Sequence, residues 1–429
     1  MGIYNRILKS SFARQVMGLG SGVVIAHLIT LGISPLITRM YTPDQFGVFA
    51  LFTSLVSILT LLSTGAYEFS IVLPEKEKTA IQLFKVSVLC STLFSIASYL
   101  LLFFIAPFIS RSPTLSLSFL FLLPLGVFFH SLMGSFNYWF NRNEYFDEFA
   151  QAKVAMSAGT GLFQLGLGAV GFTSVGLLIG LIAGRIFSAG TMALKKAGEL
   201  RQLFTGWTKQ DLKQAAAAYS DHPKFVLLSS LLSSVAIEVP VFLITSLFGS
   251  RELGFYGLGI RILMAPVTLV SLSVGHVYFQ KFATRKNTRE TLAPYILRLW
   301  GVLSLIGIVP FTLLFFLSEP AFIFAFGAEW AGAGTVASIL SPMLFFLFIT
   351  NPTSKSLLVL NKQKIMPLFS AGSLLVRLAT LLTGYYFYDF YIALGLMVSG
   401  QIIIYIVQGL YIYNTAKKWD RQISTNPDL

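Results

Sequence analysis

Twelve times along the chain a run of apolar residues continues for about 20 positions or more. The runs lie near 15–38, 45–72, 82–107, 115–140, 150–171, 174–194, 225–249, 254–280, 292–317, 333–358, 365–387 and 390–413. A helix rises about 1.5 Å per residue, so about 20 residues cross the ~30 Å hydrocarbon core of a bilayer. The expected fold is an all-α polytopic membrane protein with about 12 transmembrane helices. Composition agrees. Charged residues make up 11% of the chain, against about 25% for a soluble domain that must solvate its whole surface. Mean hydropathy is +0.74.

The net charge of +13 does not point to nucleic acid, because the basic residues form no single patch. They recur in short loops between the apolar runs. With the N-terminus in the cytoplasm, 24 of the 31 Lys and Arg fall inside, and only Arg39, Arg111 and Arg251 fall outside. By the positive-inside rule both termini of this multi-pass membrane protein are expected to be cytoplasmic. The other four cations, Arg185, Arg261, Lys355 and Arg377, are assigned to neither side. The segment Met1–Arg14 is basic, but the apolar run after it outlasts the core of a signal peptide, so no cleavage is expected. The single cysteine, Cys90, allows no disulfide within the chain. Outer loops are short. The longest, near 319–331, carries Phe322, Phe324, Phe326 and Trp330, a pattern expected of an interfacial aromatic belt.

The chain also repeats itself. Ser34–Gly47, from the first run into the second, and Val239–Gly254, from the seventh into the eighth, each hold a late proline, a polar turn and an apolar-Gly-aromatic restart. Pro124 and Pro342 sit at similar depths in runs four and ten. The halves begin on the same side, so they read as two parallel-repeat six-helix lobes. The expected division is a lobe at 1–194, a cytoplasmic linker at 195–224, a lobe at 225–416 and a cytoplasmic tail at 417–429. Leu203, Phe204, Trp207 and Leu212 among basic residues predict a linker helix lying on the membrane surface.

Ser34–Gly47, followed by Gly65-Ala-Tyr-Glu-Phe-Ser-Ile-Val-Leu-Pro74, resembles the opening of the polysaccharide transporter family. These are the Wzx-type O-antigen and polysaccharide flippases of the multidrug/oligosaccharidyl-lipid/polysaccharide exporter superfamily. The twelve-helix, two-lobe plan is similar along the whole chain. The resemblance implies movement of undecaprenyl-pyrophosphate-linked oligosaccharide across the bacterial inner (cytoplasmic) membrane by alternating access. Lipid II flippases of that superfamily usually have fourteen helices, two more than here.

A lipid-linked oligosaccharide needs cations for its pyrophosphate, polar groups for its sugars and an opening where the polyprenyl tail stays in lipid. A charge at bilayer depth costs about 2.5–3.5 kcal/mol on insertion scales, so each one asks for a reason. The substrate-binding candidates are Arg185, Arg261, Lys355 and Arg377, the four cations left after the two sides are counted. Arg offers a planar fork to phosphate oxygens; the bland reading is snorkelling or a bond to a backbone carbonyl. Related lipid flippases place a lipid-phosphate Arg in the eighth helix, which favours Arg261. The ion-coupling candidates are Glu238, directly before the Val239-Pro240 break, and Glu68. A proline leaves a carbonyl unpaired, so carboxylate and carbonyl together suit H+ or Na+. A static pair between Glu238 and Arg185 or Arg377 is the alternative. His27 and His130 read as relay groups or, more simply, as structural hydrogen-bonders. Gly176, Gly180 and Gly184 form a small-xxx-small stripe for close helix packing.

There is no Walker A sequence, no metal-ligand cluster and no nucleophile-base set, so neither enzyme nor cofactor is expected. Energy has to come from an ion gradient, a substrate gradient or downstream polymerisation machinery. Two other functions fit a similar chain: a multidrug efflux antiporter and a membrane polysaccharide polymerase or ligase. The first would favour an acidic or aromatic cavity and the second a long outer loop. An uncoupled scramblase is a further alternative.

Overall fold

The computed structural model describes residues 11–109, 116–206 and 208–425. Arg6, Lys9, Arg111 and Trp207 lie outside them. Among the described residues the chain is helical, with no strand. The helices are α1 (Ser11–Ile37), α2 (Pro43–Thr64), α3 (Glu77–Ile109), α4 (Leu117–Arg142), α5 (Phe146–Ala169) and α6 (Ser174–Lys195). Two short ones follow, α7 (Ala197–Phe204) and α8 (Lys209–Ala218). Then come α9 (Leu227–Leu247), α10 (Ser250–Asn287), α11 (Ala293–Phe326), α12 (Ala331–Thr350), α13 (Met366–Phe387) and α14 (Phe390–Thr425).

Ten of the described helices are long and apolar enough to cross a membrane. The other two long ones are α1, apolar over Gly22–Ile37, and α5, diluted by Asp147, Glu148 and Lys153. The protein is a multi-pass membrane protein. Proline recurs inside these helices, at Pro35, Pro124, Pro240, Pro266, Pro310, Pro320 and Pro342. Neighbouring helices can satisfy the carbonyls that each one frees.

Several boundaries differ from the apolar runs. The second run does not continue as one helix to 72. The Thr42–Gln45 capping box starts α2, and Gly65 at φ +60° stops it. A 3-10 turn, Tyr67–Val72, follows. Helix α11 runs on through Pro310 and Pro320 to Phe326. The supposed loop at 319–331 therefore shrinks to a few residues, and the belt reading fails for three of its four aromatics. Phe322, Phe326 and Trp330 are buried, with Trp330 edge-on to Phe255 at 6.5 Å. Only Phe324, 88% exposed, faces outward. Residues 417–425 are no loose tail but the last turns of α14. There Asp420 accepts the backbone N–H of Leu292 at 2.7 Å and of Ala293 at 3.0 Å, capping α11.

Contacts divide the chain into two compact units, Met1–Ser234 and Val235–Leu429. Within each, the end rich in Lys and Arg is here called the basic end: Lys76, Arg142 and Lys195 mark it in the first unit, Arg285 and Lys362 in the second. In the first unit, α5 and α6 lie close enough that Gly180 and Gly184 meet the backbone of Gln164, Met156 and Thr160. The basic end is sealed by a cluster of Leu83, Phe84, Phe136, Trp139 and Phe140.

The linker packs into that cluster. Leu203 is fully buried and Leu212 nearly so, each burial worth about 1.5–3 kcal/mol. Lys85 Nζ donates to Thr205 O at 2.6 Å, Lys78 pairs with Asp211 at 3.7 Å, and Tyr67 Oη donates to Ala216 O at 3.1 Å. For Leu203 and Leu212 the expected membrane-surface placement is thus replaced by protein. An amphipathic stripe suits either apolar surface.

Candidate functional site

The 3-10 turn that ends α2 places the first candidate. Gly65 and Ala66 both adopt left-handed φ values, 60° and 61°, and turn the chain back on itself. Arg142 holds the turn by donating to the carbonyls of Ile71, Val72 and Glu75. Glu68 is thereby 5% exposed. Its Oε2 has no hydrogen-bond partner, and Cys90 and Tyr138 lie within electrostatic reach. Burial raises its carboxyl from 4.5 to about 7, with a bond from Thr64 pulling partly back.

The native state therefore holds this proton more tightly than the unfolded chain does. Its contribution to stability is full below about pH 4.5 and is lost as pH rises to about 7. In detergent the thermal midpoint of the wild type is expected to drop between pH 5 and pH 8. Glu68→Gln should not show that drop, a difference of up to about 3 kcal/mol at the alkaline end. Parallel curves for the two proteins would assign the titration to another group.

Deeper in the first unit, Arg185 on α6 is 7% exposed and donates from Nη1 to Gly126 O on α4 at 3.1 Å. His130 on α4 and Lys153 on α5 lie within its electrostatic reach. Lys153 also sits over the Phe149 ring at 5.1 Å. Three basic groups thus gather on three helices. Lys153, near the start of the fifth apolar run, is one of the 24 cations that the sequence assigns to the cytoplasmic side; the close packing of α5 on α6 brings it toward Arg185.

In the second unit, Pro240 lacks the N–H that would bond Ala236 O. Arg377 on α13 supplies it: Nη1 donates to Ala236 O and, at 3.2 Å, to Ile237 O. Its Nη2 donates to Gln401 Oε1 at 3.2 Å, which also accepts Ser373 Oγ at 2.9 Å. Glu238 and Arg377 both lie within electrostatic reach of Tyr256. The structure therefore brings these two candidates to one kink, with Arg377 held by the Ala236 carbonyl that the proline frees and by the adjacent Ile237 O.

The remaining two share one helix face and its surroundings. Arg261, Met264, Thr268, Ser271 and Gly275 follow one stripe of α10 by helical spacing. Below Arg261 that stripe lines an open pocket of about 190 Å³ at the basic end. Asn351 and Pro352 break the tenth apolar run there, so α12 gives way to a 3-10 turn. Lys355, placed by that break, lines the pocket with Asn351, Ser354, Thr268 and Ser271. Ser271 Oγ is buried with no hydrogen-bond partner. Thr268 and Ser354 donate their hydroxyls to Met264 O and Asn351 O, so the ammonium, the Ser271 hydroxyl and the Asn351 carboxamide are the groups suited to a small anion such as phosphate. Arg185 and Glu68 belong to the first unit and take no part in this pocket.

A family model described as polysaccharide biosynthesis protein matches residues 36–335. No curated protein matches the chain in sequence. Solved structures share its fold. Lipid II flippase MurJ in an inward closed conformation has a TM-score of 0.73 at 15% identity, over 95% of this chain and 90% of that one. An inward-facing multidrug resistance MATE transporter of the MOP superfamily has a TM-score of 0.67 at 14% identity, over 94% and 96%. A MOP superfamily transporter from Pyrococcus furiosus has a TM-score of 0.55 at 14% identity, over 98% of each chain. With the fold of the MOP superfamily transporters and a family match across most of its length, the chain belongs to the polysaccharide biosynthesis protein family.

Proposed function

We propose that the protein is a flippase that carries undecaprenyl-pyrophosphate-linked oligosaccharide from the cytoplasmic to the periplasmic leaflet of the inner membrane. The observation that carries this reading is the Lys355 pocket in a chain of a polysaccharide biosynthesis family. Its volume of about 190 Å³ is below the ~300–1,000 Å³ of pockets that enclose whole drug-sized ligands. It suits a phosphate group, with sugars and polyprenyl tail extending beyond it. The basic ends face the cytoplasm, both termini included, as the distribution of Lys and Arg favours. Lys355 makes the first phosphate contact and Arg261 lies further along the same stripe. The Arg185 group is the cationic counterpart in the first lobe. Two six-helix lobes alternate access, and Glu68 and Glu238 are the carboxylates available to couple that motion to H+ or Na+.

Depletion of the protein should leave lipid-linked repeat units on the cytoplasmic leaflet, for the polymerisation machinery to miss. Lys355→Ala should slow flipping in proteoliposomes about tenfold or more, with Lys355→Arg retaining most of it because the charge stays. Reporter fusions at Lys286 and Lys362 should read cytoplasm, and at Arg251 periplasm. Wild-type flipping by Lys355→Ala, or no accumulated intermediate on depletion, would overturn the proposal.

A further inference from the structure

The opposite end of the second unit holds a pocket of contrary chemistry. It is open, about 440 Å³ in volume, and lies where the α9–α10 turn meets the α13–α14 turn. Phe248, Glu252, Tyr385, Tyr388, Asp389 and Tyr391 line it. Phe248 fixes its walls, meeting Tyr385 edge-on at 5.6 Å and Phe390 at 5.4 Å. Asp389 is held by its own helix, where Oδ1 accepts Ile392 N at 2.9 Å. Tyr391 lies within electrostatic reach of Glu252, Glu319, Asp389 and the single cation Arg251. The local balance is acidic in a protein whose net charge is +13.

An interfacial belt accounts for part of this aromatic run but not for the pocket. Tyr386 and Phe387, at 74% and 75% exposure, line no part of it, and they suit the belt. Tyr385, Tyr388 and Tyr391 instead share a concave surface with two carboxylates. A belt has no use for such carboxylates, and a phosphate would be repelled by them.

We propose that this pocket is a sugar-binding subsite, which takes a pyranose ring of the glycan at the periplasmic face. The inference rests on the flippase reading for its cargo. The electron-rich faces of the tyrosines receive the C–H face of the ring, and the carboxylates accept its hydroxyl protons. A volume of about 440 Å³ lies within the range of small-molecule sites. The second unit is then polar along its length. Phosphate is held at the basic end and rejected at the other, where the glycan is held instead. That difference gives the cargo a reason to reorient headgroup-first and to keep its sugars outside.

The test is saturation-transfer NMR on the full-length protein in nanodiscs, with D-glucose, D-galactose, L-rhamnose and N-acetylglucosamine as probes and choline as competitor. At least one sugar is expected to receive saturation, and Tyr385→Ala and Glu252→Gln each to weaken its binding about tenfold. Tyr386→Ala should leave it unchanged. No transfer to any of the four sugars overturns the subsite. Equal loss in Tyr386→Ala assigns the effect to the interface and also overturns it. Displacement by choline makes the pocket a cation cage, which overturns it as well. Lys355-dependent flipping that persists while sugar binding fails refutes only the subsite. Depletion without accumulated lipid-linked glycan refutes the flippase reading whatever the NMR shows.

Discussion

Arg377→Ala is expected to lower stability in detergent by about 2–4 kcal/mol, because Ala236 O at the α9 kink loses its donor while Ile237 O and Gln401 Oε1 each lose a contact. An unsatisfied buried carbonyl costs about 1–3 kcal/mol, while polar contacts between membrane helices average ~0.6 and reach ~1.7. Arg377 serves two carbonyls and Gln401 at once, which places the sum toward the upper part of that span. Pro240 provides the control. Pro240→Ala restores an N–H able to bond Ala236 O, so the double variant should recover about half of the loss. That non-additivity is the signature of one shared interaction. Arg377→Lys should fall between, since an ammonium lacks the fork that reaches both sites. The readout is the thermal midpoint together with the amount of protein in the membrane. Arg377→Ala that accumulates and melts like the wild type, yet fails to flip, would move Arg377 from the kink to the cargo.

The next largest effect is expected at Gly184. A Cβ there would lie 2.6 Å from Met156 O and 2.8 Å from Thr160 N, besides meeting Thr160 Oγ1. A threonine hydroxyl can rotate away; the backbone of α5 can yield only if the helix moves. Gly184→Ala should therefore cost about 1–3 kcal/mol of overpacking and loosen the Arg185–Gly126 bond beside it. Thr160→Ala should fail to rescue it, because the two backbone atoms remain. Gly190, on the same helix with nothing near its Cβ position, supplies the neutral comparison. Equal melting of Gly184→Ala and Gly190→Ala would refute the close approach.

The stripe of Gly176, Gly180 and Gly184 was legible in the sequence because small residues four apart share a helix face whatever the partner. The transmembrane helices were legible for a similar reason: length and apolarity are local. Glu238 beside Pro240 marked the kink, but the donor that fills it comes from 141 residues away. No spacing rule connects Arg377 to Ala236. Glu68 was legible as a candidate, but the break at Gly65 that sets it in a 3-10 turn was not, since hydropathy continues where the backbone turns. Leu203 and Leu212 were read as lipid-facing because an amphipathic pattern names a face and not its occupant. The Lys355 pocket depends on α10 meeting the end of α12, again a non-local fact. The outer pocket was missed because Tyr385 and Tyr391 are separated in kind from Tyr386 only by which way each faces.

Asp420 gives the second unit a clock. Its carboxylate caps amides made 127 and 128 residues earlier. A chain inserted from its N-terminus reaches the stage of α11 long before that carboxylate exists. Through the synthesis of α12, α13 and most of α14, the first turn of α11 must lean on water or on the insertion machinery. The cap on α11 can form only once the chain through Asp420 has left the ribosome. Truncation just ahead of Asp420 would then keep every apolar run and still leave the unit arrested one step before completion, a substrate for membrane proteases.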